Sequence, residues 1–279
     1  MKNLVPYKED CFEIHKTAVN NKQNGELKER LLVLNPAIRE EYDKFIQKFN
    51  AHQLNTLIPN SGIALSKDDL LSLYRYQSKT ITLVRESIRK LQIKTIISTC
   101  QNCTLDSANT LDHLLPKSNF PEFIVNPKNL FPCCSTCNSY KLDAIANAGP
   151  QKFLNLYLDE LPHEQYLFVD VFMDPYNEID FHFFLNNIDS RIDPELYSVI
   201  ENHFAKLHLF ERMRLKCIEY ISELETKILV FKPRLSIDEI ISDLIVAANK
   251  DKEAYGFNHW KCILEITLLE SPIFIDRYR

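Results

Sequence analysis

The sequence predicts an α+β fold that is mainly α-helical, with a small central metal-binding unit, helical regions on both sides of it and one β-hairpin. Four glycines among 279 residues disfavour a turn-rich all-β fold. Apolar residues recur at helical spacing before and after the centre, and two C-x-x-C pairs occupy the centre. We therefore divide the chain into an N-terminal helical region, 1–94, a central domain, 95–148, and a C-terminal region of hairpin plus helices, 149–279.

Two helices are predicted in the N-terminal region. Asn35 can cap a helix that begins with Pro36, a favourable first helical residue. The residues that then recur on a single apolar face are Ile38, Tyr42, Phe45, Ile46 and Phe49. A second helix is predicted from Ser66 to about Leu91.

A hairpin and a group of helices are predicted in the C-terminal region. The strands are Tyr166–Met173 and Ile179–Leu185, and the residues between them, from Asp174 to Asn177, are typical of a turn. The predicted helices are one from Pro194, a longer segment through about Ile228, one capped by Ser236, and one from His259 to Leu269.

The charge of the chain limits how it can contact nucleic acid. The formal net charge is −5, which disfavours a globally basic surface, so any contact with DNA must be local. Arg85, Arg89 and Lys90 share one face of the second predicted helix, which is either a solvated face or a contact with the DNA backbone. Because no signal segment or long uncharged apolar run is found, we expect a cytoplasmic protein with no membrane association.

Eight cysteines in a chain without a secretory signal are expected to be reduced or metal-bound. Cys100/Cys103 and Cys134/Cys137 form two C-x-x-C pairs about thirty residues apart, and four thiolates can hold a structural zinc ion tetrahedrally. Cys133 lacks the two-residue spacing to Cys137 that lets backbone N–H groups point at the sulfurs, so we interpret it as a spare. The cysteines predicted to be buried, unreactive thiols are Cys11, Cys217 and Cys262.

A zinc ribbon alone does not account for the residues between the two pairs. The order C-x-x-C, Asp-His-x-x-Pro, Asn-Leu and C-x-x-C-Asn-x-x-Lys resembles the zinc-bearing HNH endonucleases, from Cys100 to about Asp143. The resemblance implies a treble-clef-like ββα-metal unit and metal-dependent cleavage of DNA to a 5′-phosphate and a 3′-hydroxyl.

The resemblance also implies a role for each residue of the motif. His113 would be the general base that deprotonates the attacking water, and Asp112 and Asn138 would bind a catalytic Mg²⁺ or Mn²⁺. Asn129 would orient the imidazole or the loop that carries it. These roles suit the chemistry, since an imidazole titrates near neutrality and a hard cation, which prefers oxygen ligands, neutralises phosphate charge.

Three lysines around the motif, Lys117, Lys128 and Lys141, are predicted to contact DNA phosphates. The Pro-rich loop that carries Lys117 is either a phosphate-presenting loop or simply a stiff surface loop. The region from Asp193 to Arg214 also looks like the tail of prokaryotic HNH proteins of mobile-element or anti-phage defence systems.

Two alternatives to a self-sufficient nuclease remain open. One is a zinc-dependent module that binds nucleic acid without cutting it. The other is a nuclease subunit that stays silent until a partner, such as an ATPase or a sensor subunit, engages it, which the low positive charge of the chain would suit.

Overall fold

The computed structural model describes residues 1–141 and 153–279, and the chain divides into two compact units. One unit comprises Asn3–Asn102 and Asp106–Glu160, and the other comprises Met1–Lys2, Cys103–Leu105 and Leu161–Arg279. The predicted domain boundary between residues 148 and 149 lies outside the described residues. Within the described ranges, no helix combines the length and the apolar character needed to cross a membrane.

The unit that contains most of the N-terminal half is helical apart from a two-stranded sheet. Its α-helices are α1 (Cys11–Asn20), α2 (Glu26–Asn50), α3 (Ser61–Ala64), α4 (Lys67–Leu71), α5 (Lys79–Lys90), α6 (Lys94–Ile97) and α7 (Ser135–Lys141). Its strands are β1 (Thr110–His113) and β2 (Leu130–Cys133), and short 3-10 helices lie at Leu54–Thr56, Pro121–Phe123 and Pro127–Asn129. Phe123 packs against Tyr42 and Phe45 of α2, which joins the loop between the strands to the helical core.

The predicted start of the first helix at Pro36 is wrong, because α2 begins ten residues earlier, at Glu26, and continues through the proline. The Asn35 side chain does not serve as a cap there; its Oδ1 lies 3.2 Å from Nε2 of the buried His15. The apolar face from Ile38 to Phe49 is buried as predicted, apart from the half-buried Ile46.

The second predicted helix is broken in two. α4 ends at Leu71, and α5 begins only after Ser78, whose hydroxyl accepts a hydrogen bond from the Ile81 N–H. Ser66 makes no side-chain capping bond. A strong local cap at Ser78 therefore starts a new helix, and the connection that includes Tyr74 and Tyr76 is left outside both helices.

The second unit is built on the predicted hairpin, which is confirmed. Strands β3 (Leu167–Met173) and β4 (Ile179–Leu185) pair antiparallel, and Asp174 Oδ1 accepts the N–H groups of Tyr176 and Glu178 in the turn. Helices α8 (Pro194–Lys206), α9 (Leu209–Phe231), α10 (Ile237–Tyr255), α11 (Trp260–Glu270) and α12 (Pro272–Ile275) complete this unit, with a 3-10 helix at Ile188–Ser190. α9 packs on β4 and α11 on β3, and Ser236 forms a reciprocal capping box with Glu239 at the start of α10.

Candidate functional site

The four cysteines of the two C-x-x-C pairs come together. The Sγ atoms of Cys100, Cys103, Cys134 and Cys137 all lie within 4.8 Å of one another, and all four residues are buried. Tetrahedral zinc with Zn–S bonds of about 2.3 Å places its sulfurs about 3.8 Å apart, so small adjustments suffice to enclose an ion. This cluster could bind zinc, and it uses Cys134 as the sequence spacing predicts, while Cys133 does not belong to it.

The turn formed by each C-x-x-C pair is here called a knuckle, the first at Cys100 and Cys103 and the second at Cys134 and Cys137. The backbone of both knuckles is arranged to stabilise thiolates. The Cys137 N–H donates to Cys134 Sγ at 3.3 Å, and the Leu105 N–H donates to Cys103 Sγ at 3.4 Å. In the first knuckle Thr104 has a φ of 58°, a left-handed conformation that turns the chain back after Cys103. The Thr104 carbonyl accepts a hydrogen bond of 3.1 Å from the indole Nε1 of Trp260.

The hairpin between the knuckles carries the Asp-His pair. β1 pairs antiparallel with β2, so that Asp112 lies opposite Phe131 and His113 opposite Leu130. The β2 strand leads directly into α7, which packs against β1. The local order is therefore strand, strand and helix, with the second knuckle at the start of the helix.

The geometry of His113 defines which nitrogen can act as a base. Its Nε2 lies 3.0 Å from the carbonyl oxygen of the buried Ile124, and since a carbonyl only accepts, Nε2 carries the proton. Nδ1 is then the nitrogen with a free lone pair. Burial lowers the pKa of His113 from its ordinary value, against the smaller opposing effects of the Ile124 carbonyl and Asp112. A neutral imidazole that can accept a proton is thus the favoured form near neutrality.

The Asp112 side chain is buried. Both Asp112 and Lys141 are buried, and the Lys141 ammonium forms an ion pair with Asp112 Oδ2. Lys141, predicted as a phosphate contact, therefore lies inside the unit rather than on its surface. Because Asp112 Oδ2 is paired with an ammonium group, a divalent cation would compete with Lys141 for the charge of this carboxylate.

Asn129 connects the two ends of the loop between the strands. Its Oδ1 accepts from the Leu115 N–H at 2.8 Å, and its Nδ2 donates to the carbonyls of Leu115 and Phe123, each at 3.2 Å. These bonds fix the loop that supplies the Ile124 carbonyl to His113. The Asn129 side chain is thus bonded to the backbone of this loop. Asn138 lies half-buried on α7, one turn before Lys141.

The remaining lysines and cysteines are placed differently from one another. Lys117 is exposed, whereas Lys128 is half-buried with its Nζ 5.2 Å from the centre of the Phe49 ring. The three cysteines predicted to be buried are buried, and burial raises the pKa of Cys11 to about 11 and those of Cys217 and Cys262 to about 12. They are protonated and unreactive near neutral pH.

Sequence reasoning missed the aromatic residues beside His113. The Tyr74 ring meets the His113 ring edge-on at 5.0 Å, and the Tyr76 hydroxyl donates to the carbonyl of Asn109, the residue before β1. Both tyrosines belong to the connection between α4 and α5, which was predicted to be helical. The signal that could have revealed them is the Tyr-Arg-Tyr-Gln-Ser run, since Ser78 is a strong cap for a helix that begins after it.

Comparison with known proteins gives one distant likeness of note. The chain is similar to protein ea31 of Escherichia phage lambda, at 24% identity over 196 residues. The alignment covers 64% of this chain and 65% of ea31, so the chain spans slightly less than two thirds of that relative. No family model matches the chain, and no solved structure matches it.

Proposed function

We propose that the chain is an HNH-type, metal-dependent endonuclease that hydrolyses phosphodiester bonds of DNA. The observation that carries the proposal is the His113 imidazole, held through Nε2 by a buried carbonyl at the end of a hairpin whose flanks bear the four-cysteine cluster. The strand, strand and helix order supports the same reading, and the cluster is compatible with the zinc of this class. The likeness to a bacteriophage protein supports a mobile-element or defence setting.

In the proposed reaction His113 removes a proton from water at Nδ1. The water oxygen forms a bond to phosphorus as the bond from phosphorus to the 3′-oxygen breaks, and the departing oxygen gains a proton from solvent. The products are a 5′-phosphate and a 3′-hydroxyl. The Ile124 carbonyl keeps the proton on Nε2 and so holds Nδ1 in the basic form.

Asp112 and Asn138 would hold Mg²⁺ or Mn²⁺ through oxygen ligands. A bound divalent ion would supply positive charge at the phosphate and at the departing oxygen. In the structure Lys141 neutralises the Asp112 carboxylate, so a divalent ion at this donor set would compete with the lysine ammonium for the same charge.

The Lys141–Asp112 ion pair favours a second candidate function, in which the isolated chain does not cut DNA. The chain would then be either a nucleic-acid-binding module or a nuclease that stays inactive until a partner, such as an ATPase or sensor subunit, engages it. A buried lysine on the carboxylate balances its charge without a metal. This candidate predicts DNA binding without cleavage by the isolated chain.

The test is nicking and linearisation of supercoiled plasmid by the purified, zinc-loaded protein, with Mg²⁺, with Mn²⁺ and with no added divalent ion. A strong chelator is avoided because it would also remove zinc. We expect cleavage that depends on the added ion and is lost in His113→Ala.

The matched control is His182→Ala, which removes another histidine beside an aspartate: His182 Nδ1 lies 3.7 Å from Asp170 Oδ2, and both side chains are exposed. This variant should cut like the unaltered chain. Equal cleavage by His113→Ala would contradict the proposal, and absence of cleavage by every variant together with DNA binding would favour the second candidate.

A further inference from the structure

A basic segment lies next to the Asp-His pair although the chain as a whole is acidic. From residue 74 to residue 91 the chain carries five basic side chains and one acidic one, on a protein of net charge −5. Most of these basic groups are exposed, but Arg85 is half-buried and its Nε is shielded from solvent. Arg85 therefore differs from an ordinary solvated surface arginine.

Arg85 is held in a fixed orientation by an aromatic ring. Its guanidinium carbon lies 4.2 Å from the centre of the Tyr76 ring, a cation–π contact, and its Nη2 donates to the Thr82 hydroxyl at 3.2 Å. Tyr76 is in turn anchored by its hydroxyl, which donates to the Asn109 carbonyl at 2.6 Å. Asn109 Oδ1 also accepts the Ser135 N–H at the start of α7, so Arg85 is positioned by the same residue that joins β1 to α7.

The Arg85 group lies close to the Asp-His pair. Tyr74, two residues before Tyr76, has its ring 5.0 Å from that of His113. Burial raises the pKa of Tyr74 to about 12, and among the smaller electrostatic contributions are those of Tyr76, Arg85 and Asp112. Tyr74 thus lies within electrostatic range of both Arg85 and Asp112.

The guanidinium of Arg85 has an N–H group that makes no hydrogen bond within the described residues. In the part of the chain that the structure describes, its Nε has no hydrogen-bond acceptor, and a shielded cationic donor without an acceptor is costly. A phosphate oxygen is the acceptor that suits a planar, pre-oriented guanidinium. Because Nε is shielded while Arg85 as a whole is half-buried, such an oxygen would approach through the part of the side chain that remains exposed.

We propose that Arg85, oriented by Tyr76, binds a DNA backbone phosphate next to the one presented to His113. The inference rests on the proposed function, because it names the substrate contact of the same site. Tyr74 packs on His113 and lies two residues before Tyr76 in the chain, so a phosphate held by Arg85 would set where the duplex lies relative to Nδ1. Arg85 is a binding residue for an unreacting phosphate and takes no part in the chemical step.

The experiment measures binding of a fluorescent DNA duplex by anisotropy with the zinc-loaded protein and no added Mg²⁺ or Mn²⁺, so that no cleavage is needed. Arg85→Gln is compared with Arg89→Gln, which removes the same charge from an exposed arginine one turn later on α5. Tyr76→Leu removes the ring that orients Arg85 and keeps its charge. Zinc content and circular dichroism establish that each variant is folded.

We expect Arg85→Gln to raise the Kd about tenfold and to reduce the slope of log Kd against log salt by about one, as the loss of one phosphate contact requires. Tyr76→Leu should raise the Kd in the same direction, and Arg89→Gln should change it less than twofold, or about 0.4 kcal/mol.

Equal effects of Arg85→Gln and Arg89→Gln would overturn the inference while leaving the nuclease proposal intact, since general charge would then account for binding. Conversely, loss of binding in Arg85→Gln together with absence of plasmid cleavage by the unaltered chain would support the phosphate contact and count against catalysis. Absence of DNA binding by the unaltered chain would overturn both.

Discussion

The ammonium group of Lys141 is paired with the carboxylate of Asp112 in a site where both side chains are buried. The two residues are 29 positions apart in sequence, on α7 and β1. Such a pair places one positive charge where the proposed nuclease would need a divalent cation. Removal of the Lys141 ammonium group is therefore the first substitution to test.

Lys141→Met should lower the free energy of unfolding by about 3 kcal/mol, because it leaves a buried carboxylate without its counter-ion. Added Mn²⁺ should restore the stability, since the vacated oxygen becomes available to a metal. The measurement is the shift of Tm on adding Mn²⁺, with Lys117→Met, which removes an exposed lysine, as the control. If Mn²⁺ stabilises the two variants equally, Lys141 does not compete with a metal for Asp112.

Cys134→Ala should lose zinc and destabilise the central unit, because structural zinc contributes about 10 kcal/mol to the folding of small metal sites. Cys133→Ala is the matched control: the neighbouring cysteine is also buried but lies outside the four-sulfur cluster. It should keep its zinc. Metal content by mass spectrometry and Tm distinguish the two variants. Zinc retained in Cys134→Ala but lost in Cys133→Ala would show that Cys133, and not Cys134, is the zinc ligand.

Asn129→Ala should cost about 3 kcal/mol of stability, since three hydrogen bonds are lost and the buried N–H and carbonyl of Leu115 lose their partner. Urea unfolding gives the energy, and faster exchange of the Leu115 amide hydrogen localises the loss to this loop. Asn119→Ala is the control from the same loop, because Asn119 is half-buried and its side chain bonds only to Ser118 among the described residues. Equal costs for the two variants would contradict the role of Asn129.

Glu122 should make the stability of its unit depend on pH. Burial raises the pKa of its carboxyl from 4.5 to about 7, so between these values the folded chain keeps a proton that the unfolded chain releases. The free energy of unfolding is then highest below pH 4.5, falls by about 3 kcal/mol as the pH rises to about 7, and is constant above it with respect to this group.

Glu122→Gln should remove this fall, because the amide is neutral at every pH in the window, and should make the protein more stable than the unaltered chain above pH 7. Urea unfolding at both ends of the window is the measurement, with Glu40→Gln, an exposed glutamate on α2, as the control. An unchanged pH dependence in Glu122→Gln would mean that its carboxyl ionises normally in the fold.

The features that the sequence predicts correctly depend on near neighbours. The Ser236 cap, the Asp174 turn and the choice of Cys134 over Cys133 each rest on residues within four positions, whose geometry the backbone itself fixes. Pro36 shows how such a signal fails. Proline is a favourable first helical residue, but here it lies inside the longer helix α2, because burial of the apolar face stabilises the helix by more than the one missing N–H hydrogen bond costs.

Contacts between distant residues were not predictable by pattern. The sequence contains no sign that Lys141 turns inward to Asp112, because lysines are usually exposed and nothing near Lys141 specifies its partner. The approach of Tyr74 to His113 is likewise a result of packing between segments, and it required the break between α4 and α5 that the helical periodicity concealed. The resemblance supplied the roles of His113 and Asn129, which composition and periodicity alone do not give.

The hydrogen bond from Trp260 to the Thr104 carbonyl places the fluorescent indole next to Cys103. Trp260 is the single tryptophan of the chain, and its indole N–H is bound to the Thr104 carbonyl, immediately after Cys103. Indole emission responds to the loss of a hydrogen bond and to entry of water, so we expect its wavelength and intensity to change when a metal ion binds to or leaves Cys103. Intrinsic fluorescence of the unmodified chain is therefore the direct readout for a zinc titration, and it needs neither a dye nor a substrate.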